Sequence, residues 1–526
     1  MSKRSGGKGD AGLPRKKSKR GTLEALPNSA AERFGELVAW ARDKGGQFDE
    51  TKIEISNSST SGYHIRAVCS LLPDTRVMSI PKKLMLTWPV VQQSHVAKVF
   101  ASCGLTTFED HSVAVSRELD RLETMDGQDL LADIRKNRLL AISSDLLPTT
   151  TADMMMSDKG LLLAFLIHAR SDRTNSSSHG PYARTLPDAF QLPLTWDEPD
   201  LQRLAQCILG HNTLRLVAAQ TAVLVHDFCT VRRHKRLCDL LGFHPSGTTN
   251  QRASEAAYDQ VLWASSAVTS RIFGDVAAMT GSKADAGGRE EFGIMVPLFD
   301  LFNHDPLSAH ITFDAPHGIV HKCVEKGEQI ISHYGADQSN ANLLVSHGFA
   351  QWDGPHDSLA IGWSLGSVAR TPEENPVLLE AIVSTVCSGG DKAEKETFSR
   401  MLVEGGVIKD VLTHAKPFGD YLVKIANAVA LSLGNGEESV TSKAQAYLMS
   451  YLHGKRDKLL QHLEQNYENK PWENTVARAR GRRECYAVFG TTTYATTIET
   501  SVIAFYDGIL SVLEHSIELA EAGELR

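Results

Sequence analysis

The sequence predicts an α+β protein in which short β-sheets are interrupted by a long helical insertion and followed by an all-α C-terminal domain. Short β-prone runs occur between residues 50 and 88 and again between residues 294 and 332. Residues 110–275, which lie between these two groups, have apolar residues at helical spacing instead. A helical pattern also dominates the chain after Phe349. These observations together indicate the fold class.

Individual elements can be assigned within these regions. The first strand region contains the alternating segment Lys52–Ile55, and turns such as Leu72–Asp74 separate its strands. The expected strands of the second region are Ile294–Phe299, His310–Phe313, Ile319–Val324 and Gln329–Ser332. The expected helices of the insertion cover residues 157–170, 198–210, 212–241 and 251–273. A glycine-rich loop at 281–289 precedes the second group of strands.

Two apolar stripes at helical spacing characterise the C-terminal region. They consist of Leu448, Leu452, Leu459 and Leu463, and of Val502, Ile503, Tyr506, Ile509 and Leu513. We expect both stripes to pack in a core, and a groove for a partner is the alternative. The chain therefore divides into a basic tail (1–28), a mixed domain (29–350) with its helical insertion at about 96–275, and a helical domain (351–526).

Length and composition exclude several classes of protein. A chain of 526 residues with 42% hydrophobic and 22% charged residues is typical of a globular protein with two or more domains. No apolar run approaches the roughly 20 residues that cross a bilayer, and the N-terminus lacks the apolar stretch of a secretory signal. We therefore expect no membrane partner. The eight cysteines are scattered without a CxxC pair, which favours reduced, buried thiols and no zinc site.

The N-terminal tail differs in charge from the rest of the chain. Residues 1–20 carry eight Lys or Arg and one Asp, so a net charge of −8 for the whole chain leaves −15 for the remainder. The apolar-poor tail is predicted to be disordered. Its basic run at 14–20 is typical of segments that nuclear import receptors bind, and a generic solvated tail is the alternative.

This charge distribution carries three expectations. The expected location is the nucleus, with the cytoplasm as a second location. Direct binding to nucleic acid is not expected, because an acidic body repels the phosphate backbone. The acidic body would suit a basic, lysine-containing protein substrate better.

One region contains a series of polar motifs in close succession. The series is Asp300, Asn303-His304, Gly327-Glu328, Tyr334-Gly335, Asn340, Leu343-Leu344 and Gly348-Phe349. An Asn-His pair at the end of a strand offers groups that can hold a zwitterionic amino acid and an adenine ring, and a simple turn is the alternative. His304 is not expected to bind a metal, because no second His or carboxylate lies at ligand spacing.

Tyr334 has the setting of a reactive tyrosine. It precedes Gly335 directly after an expected strand, where the phenol can point into a closed site while the glycine permits a tight turn. A half-buried tyrosine that caps a strand is the alternative.

Taken in order, these motifs resemble those of SET-domain methyltransferases. The resemblance is to the branch similar to Rubisco large-subunit lysine methyltransferase, which includes nuclear, ribosomal-protein and actin-histidine enzymes. Further segments of the chain also match the branch, namely Trp263-Ala264, Ser270-Arg271, Pro181-Tyr182, Leu186-Pro187 and Pro193-Leu194-Thr195-Trp196. The match covers roughly residues 35–515 and implies a SET fold with a helical insertion and a helical, substrate-binding C-terminal domain.

The resemblance also implies a cosubstrate and a set of site residues. The cosubstrate is S-adenosyl-L-methionine, no metal is required, and Tyr334 is the catalytic residue. The implied cofactor-binding residues are Ser61, Gly62, Tyr63, Arg271, Asn303, His304, Tyr334 and Phe349. Arg271 is expected near the cofactor carboxylate or the substrate entrance, with a surface ion pair as the alternative.

The sequence departs from the family pattern at two places. The family has Gly-x-Gly near the N-terminal end of the domain, whereas this chain has Gly62 followed by Tyr63 and His64. His64 would need a favourable backbone conformation there, and its side chain could crowd the methionine end of the cofactor. The chain also has Asp305-Pro306 after the Asn-His pair and no cysteine-rich zinc tail, unlike histone-type SET enzymes.

The resulting hypothesis is a protein-lysine N-methyltransferase that acts on a nuclear or ribosomal protein. A lysine nucleophile, with an ordinary pKa near 10.4, must lose a proton before it can react. A protein-histidine N-methyltransferase of the same fold is the first alternative, since a neutral imidazole needs no such step. The second alternative is a catalytically inactive SET-like module that only binds protein.

Overall fold

A computed structural model describes the chain from residue 30 to residue 525, apart from short internal segments. The segments outside the described residues are 59–61, 144–154, 173–177, 207–209, 245–250, 275–292, 306, 315, 336–337, 365–375, 390, 404–406, 420, 433–438, 467–471, 481–485, 490–491 and 496. The basic tail, the glycine-rich loop at 281–289 and Ser61 therefore lie outside the described residues.

Helices make up most of the described structure. In chain order they are α1 Ala30–Asp43, α2 Trp88–Gln92, α3 His95–Ser102, α4 His111–Arg121, α5 Gly127–Ile142, α6 Asp158–Ser171, α7 Gly180–Thr185, α8 Glu198–Ala205, α9 His211–Arg232, α10 Lys235–Leu241, α11 Gln251–Arg271, α12 Asn340–His347, α13 Pro376–Val386, α14 Lys392–Val403, α15 Leu422–Ser432, α16 Val440–Asn466, α17 Trp472–Arg480 and α18 Ile498–Glu521. Polar N-caps begin many of them; the Asp126 carboxylate, for example, accepts two backbone N–H groups of α5.

The strands are short and form several small sheets. They are β1 Gln47–Phe48, β2 Ile53–Ser58, β3 Gly62–Ala67, β4 Arg76–Ser79, β5 Ile272–Phe273, β6 Ile294–Met295, β7 Asn303–His304, β8 Ile311–Asp314, β9 His317–Val320, β10 Ile331–Ser332, β11 Ala350–Gln351, β12 Ser358–Ser364, β13 Val407–Thr413, β14 Tyr486–Phe489 and β15 Thr492–Ala495. One sheet has the order β1-β4-β9-β8, and β2 pairs with β3 in an antiparallel hairpin. The predicted α+β fold class is confirmed.

Two large hydrophobic cores, with a smaller third cluster among α13, α14 and α15, hold the molecule together. The first lies between the strands, α1 and the helices α6, α10 and α11. The second combines helices of the insertion, including α5 and α9, with the C-terminal helices α16 and α18. Part of the insertion therefore shares its core with the C-terminal region rather than with the strands.

The helices of the insertion follow the predicted pattern closely. The segment predicted at 212–241 is divided into α9 and α10, and the helix predicted at 198–210 ends earlier, at Ala205. The leucine stripe of α16 and the apolar stripe of α18 are both buried, as expected for core packing.

The strands differ more from the sequence prediction. The strand expected at Ile319–Val324 covers His317–Val320, and the strand expected at Gln329–Ser332 covers Ile331–Ser332. The strand expected at Ile294–Phe299 ends at Met295, because Leu298 has a positive φ of 70° and the following residues, Phe299–Leu301, form a single 3-10 turn. The C-terminal region is mainly helical but also contains β11 to β15, which the sequence analysis missed. In particular, β12 and β13 form an antiparallel pair across a long connection, and such non-local pairing leaves no pattern of its own in a sequence.

One helix, α9, is long and apolar enough to span a membrane by length and composition alone. However, 67% of its most apolar window is buried inside the protein. It also contains the buried charged residues Asp227 and Arg232. The Arg232 guanidinium donates to the Ala141 carbonyl and to the Ser254 hydroxyl, so the helix packs as a central element of the core.

Candidate active site

A short parallel strand pair brings the two halves of the polar motif series together. Asn303 and His304 in β7 pair with Ile331 and Ser332 in β10. Because Tyr334 follows β10 by only two residues, this pairing places it beside the Asn-His pair, some thirty positions earlier in the chain.

Tyr334 is held at both ends by hydrogen bonds. Its backbone N–H donates to Nδ1 of His304 at 2.9 Å, and its hydroxyl donates to the carbonyl of Phe302 at 3.1 Å. The Tyr334 and His304 rings stack with their centroids 5.1 Å apart. Burial raises the pKa of Tyr334 to about 12, so the hydroxyl remains protonated at neutral pH with a fixed orientation.

His304 is buried and uncharged. Burial lowers its pKa to about 4, although the nearby Asp305 carboxylate opposes that shift. Since Nδ1 accepts the Tyr334 N–H, the neutral ring carries its proton on Nε2. This histidine therefore acts as a fixed hydrogen-bonding partner of the Tyr334 backbone.

A second histidine, which the sequence analysis did not identify, also lies beside the tyrosine. The His347 ring is centred 4.5 Å from that of Tyr334, and Phe349 adds a further ring 6.0 Å from His347. Burial, reinforced by His304, lowers the pKa of His347 to about 3. The only sequence signal for it was its position directly before Gly348-Phe349.

The backbone at the end of α12 fixes the position of these rings. Gly348 has a φ of 80°, and a Cβ at this position would lie 2.7 Å from the backbone oxygen of Gln191. Only glycine fits such a conformation and such a close approach. His347 and Phe349 therefore flank a rigid turn.

Arg271 reaches the same region from the end of α11. Its Nη1 donates to the Asp300 carbonyl at 2.8 Å and lies 3.2 Å from the Asp300 Oδ2. The hydroxyl of Tyr182 also donates to Oδ2, at 2.8 Å. Burial alone would lower the pKa of Arg271, but the Asp300 carboxylate outweighs it and raises that pKa, so the guanidinium stays charged. Arg271 thus forms an ion pair, but not one at the surface, because the Asp300 side chain is only 2% exposed. Its contact with the cofactor stays a prediction.

Buried nitrogen atoms in this region include two donors, Nδ2 of Asn303 and Nε of Arg271, that have no hydrogen-bond partner among the described residues. A buried donor without a partner is costly, and native proteins usually satisfy such groups with protein, water or a ligand. These atoms suit the carbonyl or carboxylate oxygens of a bound small molecule.

The β2–β3 hairpin forms an adjoining wall. The backbone N–H of Ile330, just before β10, donates to the carbonyl of Ile65 in β3 at 2.9 Å. Gly62 begins β3 with a φ of 64° and has open space where a Cβ would lie. The Tyr63 ring packs against Phe34 of α1, with centroids 4.6 Å apart.

His64 adopts an ordinary strand conformation. It pairs with Ser56 across the hairpin, is buried, and has its Nδ1 3.0 Å from the Gly62 carbonyl oxygen. The missing second glycine therefore causes no backbone strain at this position. Whether the imidazole reduces cofactor affinity stays a prediction.

The structure thus places five of the predicted site residues close together, in one network of ring contacts, strand pairing and electrostatic interactions. They are Arg271, Asn303, His304, Tyr334 and Phe349. Gly62 and Tyr63 belong to the adjoining hairpin. Among the residues that the structure describes, no group of three or more His, Cys, Asp or Glu could hold a metal ion. The network offers neutral rings, one charged guanidinium and oriented polar atoms.

Comparison with known proteins gives the following relatives. No family model matches the chain. It is 22% identical over 351 residues to actin-histidine N-methyltransferase from Danio rerio, covering 66% of this chain and 47% of that protein. It is 20% identical over 520 residues to the Gallus gallus protein of the same name, and this match covers 96% of this chain and 72% of that protein. The aligned part of the chain thus spans about half the length of the zebrafish relative.

Solved structures of Rubisco LSMT have the same fold. The structure bound to AdoMet matches with a TM-score of 0.53 and 15% identity, and covers 95% of this chain and 93% of that chain. The structure bound to sinefungin and monomethyllysine matches with a TM-score of 0.55 and 16% identity over the same shares. The resemblance to SET-domain proteins of the Rubisco LSMT-like branch, seen first in the motifs, is confirmed.

Proposed function

We propose that this chain, which has the SET-domain fold of the Rubisco LSMT-like branch, transfers a methyl group from S-adenosylmethionine to a nitrogen of another protein. The observation that carries the proposal is the arrangement around Tyr334. Its protonated hydroxyl donates to the Phe302 carbonyl, its backbone N–H donates to His304, and its ring packs against two neutral histidines.

The donors at the site fit the cosubstrate. S-adenosylmethionine, when bound, supplies an electrophilic methyl group on a sulfonium. Asn303 Nδ2 and the charged Arg271 would hold its polar amino-acid portion, because both present buried nitrogen donors without a partner among the described residues. His304 and His347 are uncharged and so do not repel a sulfonium. Solved neighbours of this fold were obtained with AdoMet, AdoHcy or sinefungin.

The protein would contribute mainly by positioning. The Tyr334 hydroxyl donates a hydrogen bond to the Phe302 carbonyl, so its oxygen keeps lone pairs that can accept an N–H of the incoming nucleophile. The same carbonyl has a second lone pair for another N–H. Two fixed acceptors orient a nitrogen lone pair, and orientation of this kind can supply a large part of a rate enhancement.

Lysine is the acceptor that we propose first. The support comes from the solved structures of Rubisco LSMT, which have the same fold and contain lysine or monomethyllysine. A primary amine has two N–H groups once it is neutral, which matches the two acceptors at Tyr334 and Phe302. A nuclear or ribosomal protein remains the proposed substrate class.

Histidine is the second candidate acceptor. The observation that favours it is the name of the curated relatives, which are actin-histidine N-methyltransferases. An imidazole is neutral at pH 7 in about three quarters of molecules at its ordinary pKa of about 6.5, so it needs no deprotonation.

Methyl-labelled S-adenosylmethionine tests the reaction and the acceptor together. The full chain is incubated with purified actin and, separately, with a nuclear and ribosomal protein extract, and labelled residues are mapped by mass spectrometry. Label on lysine supports the first candidate, and label on an actin histidine supports the second. No label in either sample, with no heat on calorimetric titration with millimolar cofactor, would support the inactive binding module instead.

A matched pair of variants links the reaction to this site. Asn303→Ala removes a buried donor and should abolish cofactor binding in calorimetry. Asn342→Ala is the control, because Asn342 is exposed on α12 near the same motif series. Equal cofactor affinity in the two variants would show that Asn303 does not bind the cofactor.

We also propose a nuclear location that depends on the basic run at 14–20. Fluorescent fusions of the full chain, with and without substitution of the basic residues at 15–20 by alanine, test this directly. Nuclear signal that persists in the substituted chain would contradict the proposal.

A further inference from the structure

Tyr182 has a buried hydroxyl that points into the candidate site from a distant part of the chain. It belongs to α7 in the helical insertion, and only 1% of its surface is exposed. Its hydroxyl donates to Oδ2 of Asp300 at 2.8 Å, across 118 positions of sequence. The segment Pro181-Tyr182 was one of the motifs that resembled the family, but the proposed reaction gives it no role.

Asp300 is the centre of a small buried network. Its Oδ2 accepts the Tyr182 hydroxyl and lies 3.2 Å from Nη1 of Arg271, which also donates to the Asp300 carbonyl at 2.8 Å. A buried carboxylate requires several hydrogen bonds to remain charged and oriented. Tyr182 supplies a bond to the Asp300 side chain that comes from the helical insertion.

The network anchors only one end of the Arg271 guanidinium. The two contacts of that side chain with Asp300 both use Nη1, whereas the buried Nε has no partner among the described residues. A guanidinium held at one end presents its remaining N–H groups in a fixed plane, and this geometry suits an oxyanion such as a carboxylate. The orientation of this plane depends on where Asp300 lies.

The strained backbone near Asp300 increases this dependence. Leu298 has a φ of 70°, which is costly for a residue with a Cβ, and it leads into the single 3-10 turn Phe299–Leu301. A turn of this length has few internal hydrogen bonds to fix the Asp300 side chain. An external contact, such as that from Tyr182, is therefore needed to fix it.

We propose that Tyr182 is a positioning residue for cofactor binding: it holds the Asp300 carboxylate so that Arg271 presents its free edge to the carboxylate of S-adenosylmethionine. This inference rests on the proposed function, since it assigns the ligand group that Arg271 meets. It also gives the helical insertion a direct part in the site, because α7 belongs to the insertion while Asp300 belongs to the strand region.

The test compares two tyrosine variants against two ligands. Tyr182→Phe removes the hydroxyl, and Tyr258→Phe is the matched control, because Tyr258 is also buried in the first core but its hydroxyl has no partner among the described residues. Calorimetry on the full chain measures the dissociation constants of S-adenosylmethionine and of its decarboxylated analogue. Thermal melting checks that both variants are folded.

The expected result is specific to the ligand carboxylate. Tyr182→Phe should weaken the binding of S-adenosylmethionine about tenfold, the loss expected for one hydrogen bond to a charged group. The binding of the decarboxylated analogue should change by less than about twofold, and Tyr258→Phe should leave both constants unchanged. With a methyl acceptor in hand, Tyr182→Phe should raise the cofactor KM and leave kcat at saturating cofactor unchanged.

The other outcomes contradict either the role of Tyr182 alone or the proposed function as well. Equal weakening of both ligands by Tyr182→Phe would assign Tyr182 a packing role and overturn the inference. Unchanged binding of S-adenosylmethionine would overturn it as well, while leaving the proposed function intact. Failure of the unsubstituted chain to bind S-adenosylmethionine would overturn both. If Tyr182→Phe does not fold, Asp300→Asn replaces it in the same comparison, since it keeps the side-chain volume but removes the charge.

Discussion

At the scale of single residues, burial determines the charge of every group around the candidate reaction centre. It raises the pKa of Tyr334 to about 12 and lowers those of His304 and His347 to about 4 and about 3. All three side chains are therefore neutral between about pH 5 and pH 11. The charged guanidinium of Arg271 is the exception, and it is paired with Asp300.

Removal of the Tyr334 hydroxyl tests its role in positioning. Tyr334→Phe keeps the ring that stacks on His304 and the backbone N–H that bonds to it, so cofactor binding should be retained. It loses the hydroxyl that orients the nucleophile, so we expect turnover to fall by about a hundredfold or more. Calorimetry and single-turnover methylation measure the two effects separately. Unchanged turnover would exclude Tyr334 from catalysis.

The pH profile of the reaction distinguishes the two acceptors. Because the neutral site groups do not titrate between about pH 5 and pH 11, the profile reports the acceptor itself. With a lysine acceptor, kcat/KM should rise about tenfold per pH unit from pH 6 towards pH 9, since the fraction of neutral amine rises in that way. With a histidine acceptor, it should level off above about pH 7. A profile that falls with rising pH would contradict both assignments.

At the scale of elements, the site depends on how α12 ends. The helix leads directly from the motif residue Asn340 to His347, and the turn at Gly348 then places Phe349 beside both histidine rings. The backbone of Gln191, which belongs to the insertion, packs against this turn. A residue with a side chain at position 348 would therefore alter the helix end and the site together.

Alanine substitutions at two helix ends separate these effects. Gly242→Ala, at the end of α10, has a φ of 69° and open space around the new Cβ, so it should cost only about 1–2 kcal/mol. Gly348→Ala has the same kind of φ but places Cβ 2.7 Å from the Gln191 oxygen, so we expect a loss of about 3–5 kcal/mol in unfolding free energy. Denaturant unfolding measures both. Equal losses would show that the contact with Gln191 is unimportant.

At the scale of the whole molecule, a buried polar network joins the motif series to the C-terminal region. The Asn340 backbone N–H donates to Asp357 Oδ1 at 2.8 Å, and its Nδ2 donates to Asp357 Oδ2 and to the Gln351 carbonyl, each at 2.8 Å. Gly508 of α18 packs directly against the Asp357 carboxylate. The motif asparagine therefore links the motif series to the C-terminal region in this chain.

A methyl group at position 508 should disturb this link. A Cβ there would lie 2.7 Å from Asp357 Cγ and 3.1 Å from Asn340 Nδ2, so Gly508→Ala should destabilise the chain by about 1–3 kcal/mol. Gly454→Ala in α16 has open space and should instead stabilise it, by up to about 1 kcal/mol. Thermal unfolding compares the two. If Gly508→Ala is as stable as Gly454→Ala, α18 does not pack tightly on the network.

The sequence by itself determined the elements whose causes are local. Helical periodicity placed the helices of the insertion and the buried stripes of α16 and α18, because a helix satisfies its own backbone and shows its buried face every three to four residues. The order of the motifs identified Arg271, Asn303, His304, Tyr334 and Phe349, which the structure brings into one network.

Only the tertiary structure decided which residues meet across long distances in the chain. Such contacts produce the 3-10 turn in place of a longer strand and the β12–β13 pair. They also place His347 beside Tyr334 and bond Tyr182 to Asp300. None of them has a local pattern, because each depends on packing between residues that are far apart in sequence. The pKa values of the site have the same origin, since burial sets them and burial is a property of the folded chain.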